Sequence, residues 1–265
     1  MSAALDTRFD TACRLAAEAG AIALRLRPPP GAAQATLKGP QDWLTEADGA
    51  VERFLSDALA AAFPADGFHG EEGGPARPGR LRWVVDPIDG TANFARGRNR
   101  FCISLGLMED RTPLLGVIVA PAIGETFTGR QGGGAFLNGT PIRAATTQDP
   151  AQAIVEVGWS RRRSNAAFLA VSRHFLDLGC AVRHGGSGTL GLADVAAGRS
   201  DAYAELHINI WDSAAALVLL AEAGAALNGF LDGDGAWSGN PMLACAPALA
   251  GPFGAPPGIP AARPA

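Results

Sequence analysis

Carboxylates are the side chains of this sequence whose spacing best suits chemistry, and the clearest pair lies in segment 83–94. An apolar run there ends at Asp86, turns at a proline and presents Asp89 three residues later. Two acids around such a turn can converge on one cation at the end of a strand, and the Ile88 carbonyl between them is expected to lie outside the strand ladder. An ordinary proline turn with solvated acids would show the same Asp-x-x-Asp spacing.

The residues after this pair favour an anion close to the cation. Gly90 permits a close approach of the backbone, and Thr91 can begin a helix. The first amides of a helix have no partner within the helix and can point towards an anion. The segment is therefore suited to a phosphate group beside a metal ion.

Three further acids fit the same chemistry. Glu71 lies in a glycine-rich loop, and Asp212 precedes an apolar helix expected over 213–223. Asp48 follows Thr45 at another expected helix start. Each acid has an alternative interpretation, because a loop acid is usually solvated and an acid in a first helical turn stabilises the helix dipole.

All five acids offer hard oxygen ligands, whereas the four cysteines and four histidines form no cluster at zinc spacing. Oxygen donors select Mg²⁺, Mn²⁺ or Ca²⁺ over zinc. Mg²⁺ held by a few carboxylates usually completes its shell with substrate phosphate oxygens. The set therefore predicts cleavage of a phosphate ester at a site with several metal ions.

Residues 1–148 are expected to form N-terminal helices and an antiparallel sheet that carries most of these acids. Helical periodicity covers residues 9–24 and returns after Thr45 as an apolar stripe over 51–63. Short apolar or β-branched segments, separated by Gly, Pro or Asn, predict strands at 81–85, 101–107, 114–119, 125–128 and 135–137.

Residues 149–265 are expected to form an α/β half that carries Asp212, with a boundary near 145–152. Strand patterns at 153–157, 180–182 and 201–206 alternate with helix patterns at 166–178, 190–197 and 213–223, which predicts layered α/β structure. Beyond Ala246 the chain is rich in proline, so this tail is expected to be irregular or frayed.

Composition narrows the class of protein. Of the 265 residues, 48% are hydrophobic and 18% are charged, which excludes a disordered chain. The net charge of −4 argues against general nucleic-acid or anionic-membrane binding. The sequence shows neither a basic and apolar leader pattern nor an apolar run long enough to span a bilayer. Its four cysteines are scattered, which is typical of free thiols in a reducing compartment. A cytoplasmic location is therefore expected.

At the acidic segments the sequence resembles the inositol monophosphatase family, the lithium-sensitive, Mg²⁺-dependent phosphatases related to fructose-1,6-bisphosphatase. The matching segments, in the family's order, are 45–48, 70–72, 83–94, 183–188 and 205–224. The Asp-Pro-Ile-Asp-Gly-Thr core is a specific signature of the family. Independent support for the resemblance comes from the Trp-Asp pair just before the expected helix 213–223 and from the Glu-Ala-Gly at its end. The resemblance implies an αβαβα layered sandwich and a homodimer.

The resemblance also implies a set of metal ligands. By position, Glu71, Asp86 and the Ile88 carbonyl would hold a first Mg²⁺. Asp86, Asp89 and Asp212 would hold a second. A weaker third ion would lie near Glu71, which gives two to three Mg²⁺ per active site, with Mn²⁺ as a substitute.

Further roles follow from the same resemblance. Glu71 and the Thr91–Asp48 pair would orient the attacking water, and the Gly90 and Thr91 amides would hold the phosphate. The alcohol part of the substrate would contact Asp89, Gly186, Ser187, Gly188 and Glu205.

The leading functional hypothesis is hydrolysis of inositol-1-phosphate through in-line attack by metal-activated water, with some breadth toward other small phosphorylated polyols. The alternatives are a histidinol-phosphate phosphatase and a fructose-1,6-bisphosphatase or other sugar phosphatase. The contrasting class is a catalytically silent binding protein on this fold. Such a protein would be expected to lack a metal ligand, and every expected ligand is present in this sequence.

Overall fold

The computed structural model describes residues 3–29, 36–39, 42–73 and 77–263. The helices are α1 (Ala3–Leu26), α2 (Glu46–Ala62), α3 (Thr91–Ala95), α4 (Asn165–Asp177), α5 (Gly188–Ala196), α6 (Ile210–Glu222), α7 (Gly235–Ser238) and α8 (Ala250–Phe253), with 3₁₀ turns at Pro150–Gln152 and Pro247–Leu249. Within these described ranges, no helix combines the length and apolar character that a membrane crossing requires.

The strands form two large sheets and one small pair. They are β1 (Thr36–Gly39), β2 (Asp42–Leu44), β3 (Gly67–Gly70), β4 (Leu81–Asp89), β5 (Cys102–Glu109), β6 (Thr112–Ala120), β7 (Glu125–Arg130), β8 (Gly134–Leu137), β9 (Thr140–Pro141), β10 (Ile154–Val157), β11 (Ala181–Arg183), β12 (Ala202–Ile208), β13 (Ala226–Leu227) and β14 (Asn240–Cys245). Strands β1 and β2 pair with each other and form the small sheet.

The first large sheet contains β3 to β9 in sequence order. Strands β4 to β9 are antiparallel neighbours, so the expected meander is confirmed, and β3 adds to its edge in parallel with β4. Helices α1 and α2 cover one face, and α6 covers the other. Because both faces are covered, β5 is apolar and buried along nearly its whole length.

The second large sheet has the order β11-β10-β12-β14-β13. Strand β10 is parallel to β11 and β12, whereas β14 is antiparallel to β12 and β13. Helices α5 and α6 contact each other between the two sheets, and α4 packs on the other side of the second sheet. The layers are therefore α1/α2, first sheet, α5/α6, second sheet and α4, which is the expected αβαβα sandwich.

Two glycines let α6 lie directly on the first sheet. A Cβ at Gly116 would lie 2.1 Å from the Ala215 carbonyl oxygen, and one at Gly106 would lie 2.8 Å from the Ala214 Cβ. Small residues on both surfaces therefore bring helix and sheet together. This close packing carries the first turn of α6, with Asp212, to the end of β4.

The expected boundary near 145–152 falls between the two sheets. The first sheet ends at Pro141, and the second begins at Ile154. One apolar cluster nevertheless joins the halves, since it contains Phe127 of the first sheet together with Leu217 of α6 and Tyr203 of the second sheet. The two halves are therefore held against each other by a shared core.

The tail beyond Ala246 is packed, so the expectation of a frayed segment was wrong, whereas residues 254–262 are irregular in that they form no helix or strand. Phe253 is 1% exposed and meets Phe175 of α4 edge-on, with ring centroids 5.2 Å apart. Ile259 is 2% exposed, and Arg263 forms a β-bridge with Leu227. Proline prevents a long helix, but it does not prevent short turns from burying the apolar residues between them.

Candidate metal centre

Strand β4 continues through the acidic pair, so the expectation that the strand ends at Asp86 was wrong. Its register against β5 shifts after Asp86, and pairing resumes where Asp89 faces Cys102. Within the shifted segment, Asp86 Oδ1 accepts a hydrogen bond from the Ile88 amide at 2.9 Å. Pro87 has no amide proton to give to a ladder, and a bulge accommodates it without ending the strand.

Three aspartates meet at the end of this strand. One carboxylate oxygen from each of Asp86, Asp89 and Asp212 lies within 4.8 Å of the others, an arrangement that the family resemblance implied. Asp86 is 1% exposed and Asp89 8% exposed. Asp212 also accepts hydrogen bonds from the Asn209 amide at 3.0 Å and from its side-chain nitrogen at 3.1 Å. It therefore caps the start of α6 and joins the cluster at the same time.

The electrostatics of this trio favour a bound cation. Burial raises the pKa of Asp86 well above its usual value, and the charges of Glu71, Asp212 and Asp89 raise it further. Burial, followed by the charge of Asp89, raises the pKa of Asp212 to about 6. Crowded buried carboxylates are costly without a positive charge. Their oxygen-only donor set fits Mg²⁺ or Mn²⁺.

Glu71 faces this trio from the loop after β3. It lines the same cavity, and its charge contributes to the raised pKa of Asp86. The loop is held from two sides, because the Glu71 amide donates to the Val85 carbonyl at 3.2 Å and the Glu72 amide donates to the Glu52 carboxylate at 2.8 Å. The loop is therefore fixed at β4 on one side and at α2 on the other.

Asp48 and Thr91 are in contact behind the cavity wall. The Thr91 hydroxyl lies 2.9 Å from the Ile88 carbonyl oxygen and 3.2 Å from Asp48 Oδ1. The other Asp48 oxygen accepts hydrogen bonds from the Thr45 amide at 2.8 Å and from its hydroxyl at 2.5 Å. Burial raises the pKa of Asp48 to about 6. Asp48 therefore stabilises the start of α2 and also reaches the site.

Gly90 occupies a position that only glycine suits. Its φ is 87°, and a Cβ there would lie 2.9 Å from the Arg100 carbonyl oxygen and 3.2 Å from the Ser187 Cβ. Gly90 and Thr91 line the cavity directly after Asp89. The chain thus passes close to the second half of the protein at this point.

Segment 186–188 holds Asp89 in place. The Ser187 hydroxyl and the Thr189 amide both donate to Asp89 Oδ2, the amide at 2.9 Å. The Ser187 oxygen also accepts a hydrogen bond from the Leu190 amide at 3.3 Å and so caps α5. Ser187 is 2% exposed, and its hydroxyl is engaged with Asp89.

Glu205 lies on β12 at the cavity wall and is 8% exposed. The Tyr203 hydroxyl donates a hydrogen bond to its carboxylate. Burial raises the pKa of Glu205 to about 8, although the bond from Tyr203 acts in the opposite direction. A buried acid of this kind is suited to hydrogen-bonding a polar ligand.

Residues of both halves enclose a cavity of about 350 Å³. The expected site residues that line it are Glu71, Asp89, Gly90, Thr91, Gly186, Ser187, Gly188, Glu205 and Asp212. Asp86, Ile88 and Asp48 lie behind this wall, where they contact lining residues. The structure thus brings the expected set to one place.

Several lining residues were not among the site residues expected from sequence, and they include Trp159, Arg161, Arg162 and His207. The first three lie in the loop after β10, and His207 lies on β12. The ends of strands in an α/β sheet commonly hold ligand-binding loops. The change from an apolar strand to the Gly-Trp-Ser-Arg-Arg-Arg run at 158–163 was therefore a usable signal.

Asn93 is a further residue that sequence reasoning missed. Its side-chain nitrogen donates to the Arg100 carbonyl at 2.8 Å and to the Gly185 carbonyl at 2.9 Å. Asn93 thereby fastens the segment before α5 to the first half of the chain. It lies within the Asp-Pro-Ile-Asp-Gly-Thr-Ala-Asn-Phe run, next to the helix start at Thr91.

Five layers with a carboxylate trio of metal-ligand type beside a cavity define the class of α/β protein to which this chain belongs. The sequence model of the inositol monophosphatase family matches residues 4–247, and the chain belongs to this family.

Similar proteins carry two kinds of name. An inositol-1-monophosphatase of Rhizobium meliloti is 39% identical over 72% of this chain and 73% of its own length. A Nus factor SuhB of Xylella fastidiosa is 39% identical over 74% of this chain and 72% of its own length. The crystal structure of the extragenic suppressor protein suhB from Bartonella henselae has a TM-score of 0.86 at 29% identity and covers 93% of this chain and 96% of that one.

Proposed function

We propose that this protein is a Mg²⁺-dependent phosphate monoester hydrolase whose substrate is inositol-1-phosphate. The observation that carries the proposal is the buried trio of Asp86, Asp89 and Asp212 beside a cavity that also contains Glu71. Membership of the inositol monophosphatase family supports the same activity. The name of the Rhizobium relative supports the choice of inositol-1-phosphate.

The metal ligands in this proposal are Glu71, Asp86 and the Ile88 carbonyl for one Mg²⁺, and Asp86, Asp89 and Asp212 for another. A third, weaker ion would lie near Glu71, and Mn²⁺ could take the place of Mg²⁺. When bound, the ions supply the Lewis acidity that makes water a nucleophile near neutral pH and stabilises charge on the phosphoryl oxygens. The raised pKa values of Asp86 and Asp212 support this role, because a cation relieves the repulsion that raises them.

The side chains around the trio then act on water and phosphate. Glu71 and the Thr91 hydroxyl orient the attacking water, and Glu71 accepts its proton. Asp48 acts through Thr91, which it meets at 3.2 Å, and keeps the hydroxyl oriented. The Gly90 and Thr91 amides donate hydrogen bonds to the phosphate.

The alcohol part of the substrate lies against the second half of the protein. Glu205 hydrogen-bonds polyol hydroxyls, and Asp89, Gly186 and Gly188 line the same part of the cavity. Ser187 acts by holding Asp89, because its hydroxyl already donates to that carboxylate. A buried acid at this position supports a leaving group rich in hydroxyls, as in inositol.

The test is phosphate release with Mg²⁺ from inositol-1-phosphate, histidinol phosphate, fructose-1,6-bisphosphate and other sugar phosphates. The wild type is compared with Asp86→Asn, and Asp177→Asn serves as a matched control because Asp177 is exposed on α4. We expect Asp86→Asn to lower phosphate release by on the order of a hundredfold or more, because it removes a charge from the metal site. The control is expected to match the wild type.

The outcomes separate the candidates. If the wild type releases no phosphate from any substrate, the protein is a silent binding protein on this fold and the proposal is wrong. Much faster turnover of histidinol phosphate or a sugar phosphate would show that the proposed substrate is wrong, whereas the proposed metal-dependent hydrolysis would stand. We further propose a homodimer, in line with the family, and sedimentation of the purified protein tests it.

A further inference from the structure

Trp159 is an aromatic residue of the cavity wall that the proposed chemistry does not use. It lies in the loop after β10, two positions beyond the last residue of that strand. Its side chain is 36% exposed. Ligand cavities are commonly lined by aromatic side chains that supply contact area, while a few polar groups fix the orientation of the ligand. Part of the indole surface is therefore open to a ligand in this cavity.

The single polar group of this indole is already engaged. Trp159 Nε1 donates a hydrogen bond to Asn165 Oδ1 at 3.2 Å, and Asn165 is the first residue of α4. Between them the chain turns, because the Arg163 amide donates to the Ser160 carbonyl at 3.1 Å. An indole has no second donor and no acceptor. The side chain of Trp159 therefore offers the cavity the carbon surface of its ring.

Trp159 enters the cavity beside Glu205. The preceding residue, Gly158, lies against β12, because its amide donates to the Ala204 carbonyl at 2.9 Å. A Cβ at Gly158 would collide with the Glu205 carboxylate and with the Tyr203 hydroxyl, so only glycine allows this close approach. The aromatic ring and the acid assigned above to the alcohol therefore belong to the same part of the cavity.

These two side chains suit different surfaces of a ring-shaped polyol. In a cyclitol or a sugar ring, the hydroxyls project from the rim, whereas C–H groups form apolar faces. A buried carboxylate such as Glu205 accepts hydrogen bonds from the hydroxyls, and the carbon surface of Trp159 packs against a C–H face. An open-chain polyol has no fixed face, and it loses rotational freedom when it is ordered against a flat ring.

We propose that Trp159 is a specificity-determining residue that packs against the C–H face of a ring in the alcohol part of the substrate. The inference rests on the proposed function and narrows the substrate class of that site to phosphate monoesters of cyclic polyols, which include inositol-1-phosphate. The contact lies away from the scissile bond. It therefore strengthens the binding of the substrate and of the transition state to the same extent.

The experiment compares inositol-1-phosphate with sorbitol 6-phosphate under Mg²⁺. The two compounds have the same number of carbons, free hydroxyls and phosphates, and they differ in whether the carbon chain is closed into a ring. The proteins are the wild type, Trp159→Leu, Trp159→Phe, Asn165→Ala and Trp237→Leu. Trp237 is the matched control, because it is an exposed tryptophan outside the cavity lining.

The measured quantity is the ratio of kcat/KM for inositol-1-phosphate to kcat/KM for sorbitol 6-phosphate. We expect the wild type to favour inositol-1-phosphate and Trp159→Leu to lower the ratio on the order of tenfold, through a higher KM for inositol-1-phosphate. Trp159→Phe retains the greater part of the ratio because it retains an aromatic face. Asn165→Ala lowers the ratio by a smaller factor because the indole is held less firmly, and Trp237→Leu leaves it unchanged.

A ratio that is the same in Trp159→Leu and the wild type overturns the inference, and so does a wild type that favours sorbitol 6-phosphate. A fall of the ratio that comes from kcat alone also overturns it, because the proposed contact acts on KM. All three results leave metal-dependent hydrolysis intact, since phosphate is still released. A wild type that cleaves neither compound overturns the inference, and the proposed hydrolase fails with it only if histidinol phosphate and the sugar phosphates are not cleaved either.

Discussion

Thr91 Oγ1 lies 3.2 Å from Asp48 Oδ1, although the two residues are 43 positions apart in the chain. The same hydroxyl lies 2.9 Å from the Ile88 carbonyl oxygen. A hydroxyl has one proton to donate, so these two oxygens compete for it. When Asp48 accepts the proton, the Ile88 carbonyl is available to a metal ion, which links the start of α2 to the proposed chemistry.

The first prediction concerns this shared proton. Thr91→Val removes the hydroxyl at nearly constant volume, and we expect kcat to fall about a hundredfold because the attacking water loses an oriented partner. KM is expected to change much less. Thr91→Ser restores the hydroxyl and most of the activity, and Thr112→Val is the control because Thr112 is exposed on β6. Equal activity in Thr91→Val and the wild type would contradict the role of Thr91.

The second prediction is that the metal-free protein becomes less stable as pH rises. The pKa of Asp212 is about 6 in the folded protein against an ordinary value of 3.8. Between these values the folded state binds more protons than the unfolded state, so the free energy of unfolding falls with rising pH. From Asp212 alone, the shift from 3.8 to about 6 corresponds to a loss of about 3 kcal/mol. Asp86 shifts in the same direction and adds to it.

Urea denaturation in EDTA at pH values from 4 to 7.5 measures the free energy of unfolding of the wild type and of Asp86→Asn, and the difference between the two proteins reports the effect of the trio. We expect Asp86→Asn to be the more stable protein at pH 7.5 and to lose this advantage at pH 4. Mg²⁺ is expected to stabilise the wild type more than the variant, because the variant lacks one ligand. Asp177→Asn controls for the loss of any carboxylate. A constant difference across pH would show that the trio is not the cause.

The positions of the three aspartates could be predicted from sequence because each depends on local pattern. Asp86 and Asp89 come directly after the apolar run of β4, and Asp212 lies in the first turn of an apolar helix. The alternation of strand and helix patterns after residue 150 likewise indicated the layered α/β structure of the second half. These features depend on neighbours in sequence, which a single chain displays directly.

Features that depend on distant partners could not be predicted in this way. The bulge after Asp86 depends on where Cys102 of β5 pairs, and the burial of Phe253 depends on Phe175 of α4. The Gly-Ser-Gly segment looks like a flexible loop in sequence. Its serine is fixed only because Asp89, 98 positions away, accepts its proton.

The third prediction concerns the carboxylate proposed to bind the alcohol. Tyr203→Phe removes the hydroxyl that donates to Glu205, and this bond lowers the pKa of Glu205 against the effect of burial. The pKa therefore rises further above about 8, and less carboxylate is present near neutral pH. We expect KM for inositol-1-phosphate to rise about fivefold, the effect of one lost hydrogen bond, with kcat nearly unchanged.

Steady-state kinetics between pH 6.5 and 9.5 test this expectation. The KM of Tyr203→Phe should approach that of the wild type as pH rises, since alkaline conditions restore the carboxylate. Glu205→Gln is the comparison, because an amide does not ionise, so its KM defect relative to the wild type should not shrink as pH rises. A defect of Tyr203→Phe that appears in kcat alone would assign Tyr203 a different role.

The fourth prediction is inhibition by lithium, which follows from the proposed second metal site. Asp86, Asp89 and Asp212 bring three negative charges together, and a divalent ion leaves less uncompensated charge there than a monovalent ion. Li⁺ in that position would therefore stabilise the charge that develops on the leaving oxygen less well. We expect phosphate release at saturating Mg²⁺ to fall as lithium chloride reaches the millimolar range, while sodium chloride at the same ionic strength has little effect. Activity that responds equally to both salts would mean that the trio does not hold a catalytic metal ion in the way proposed.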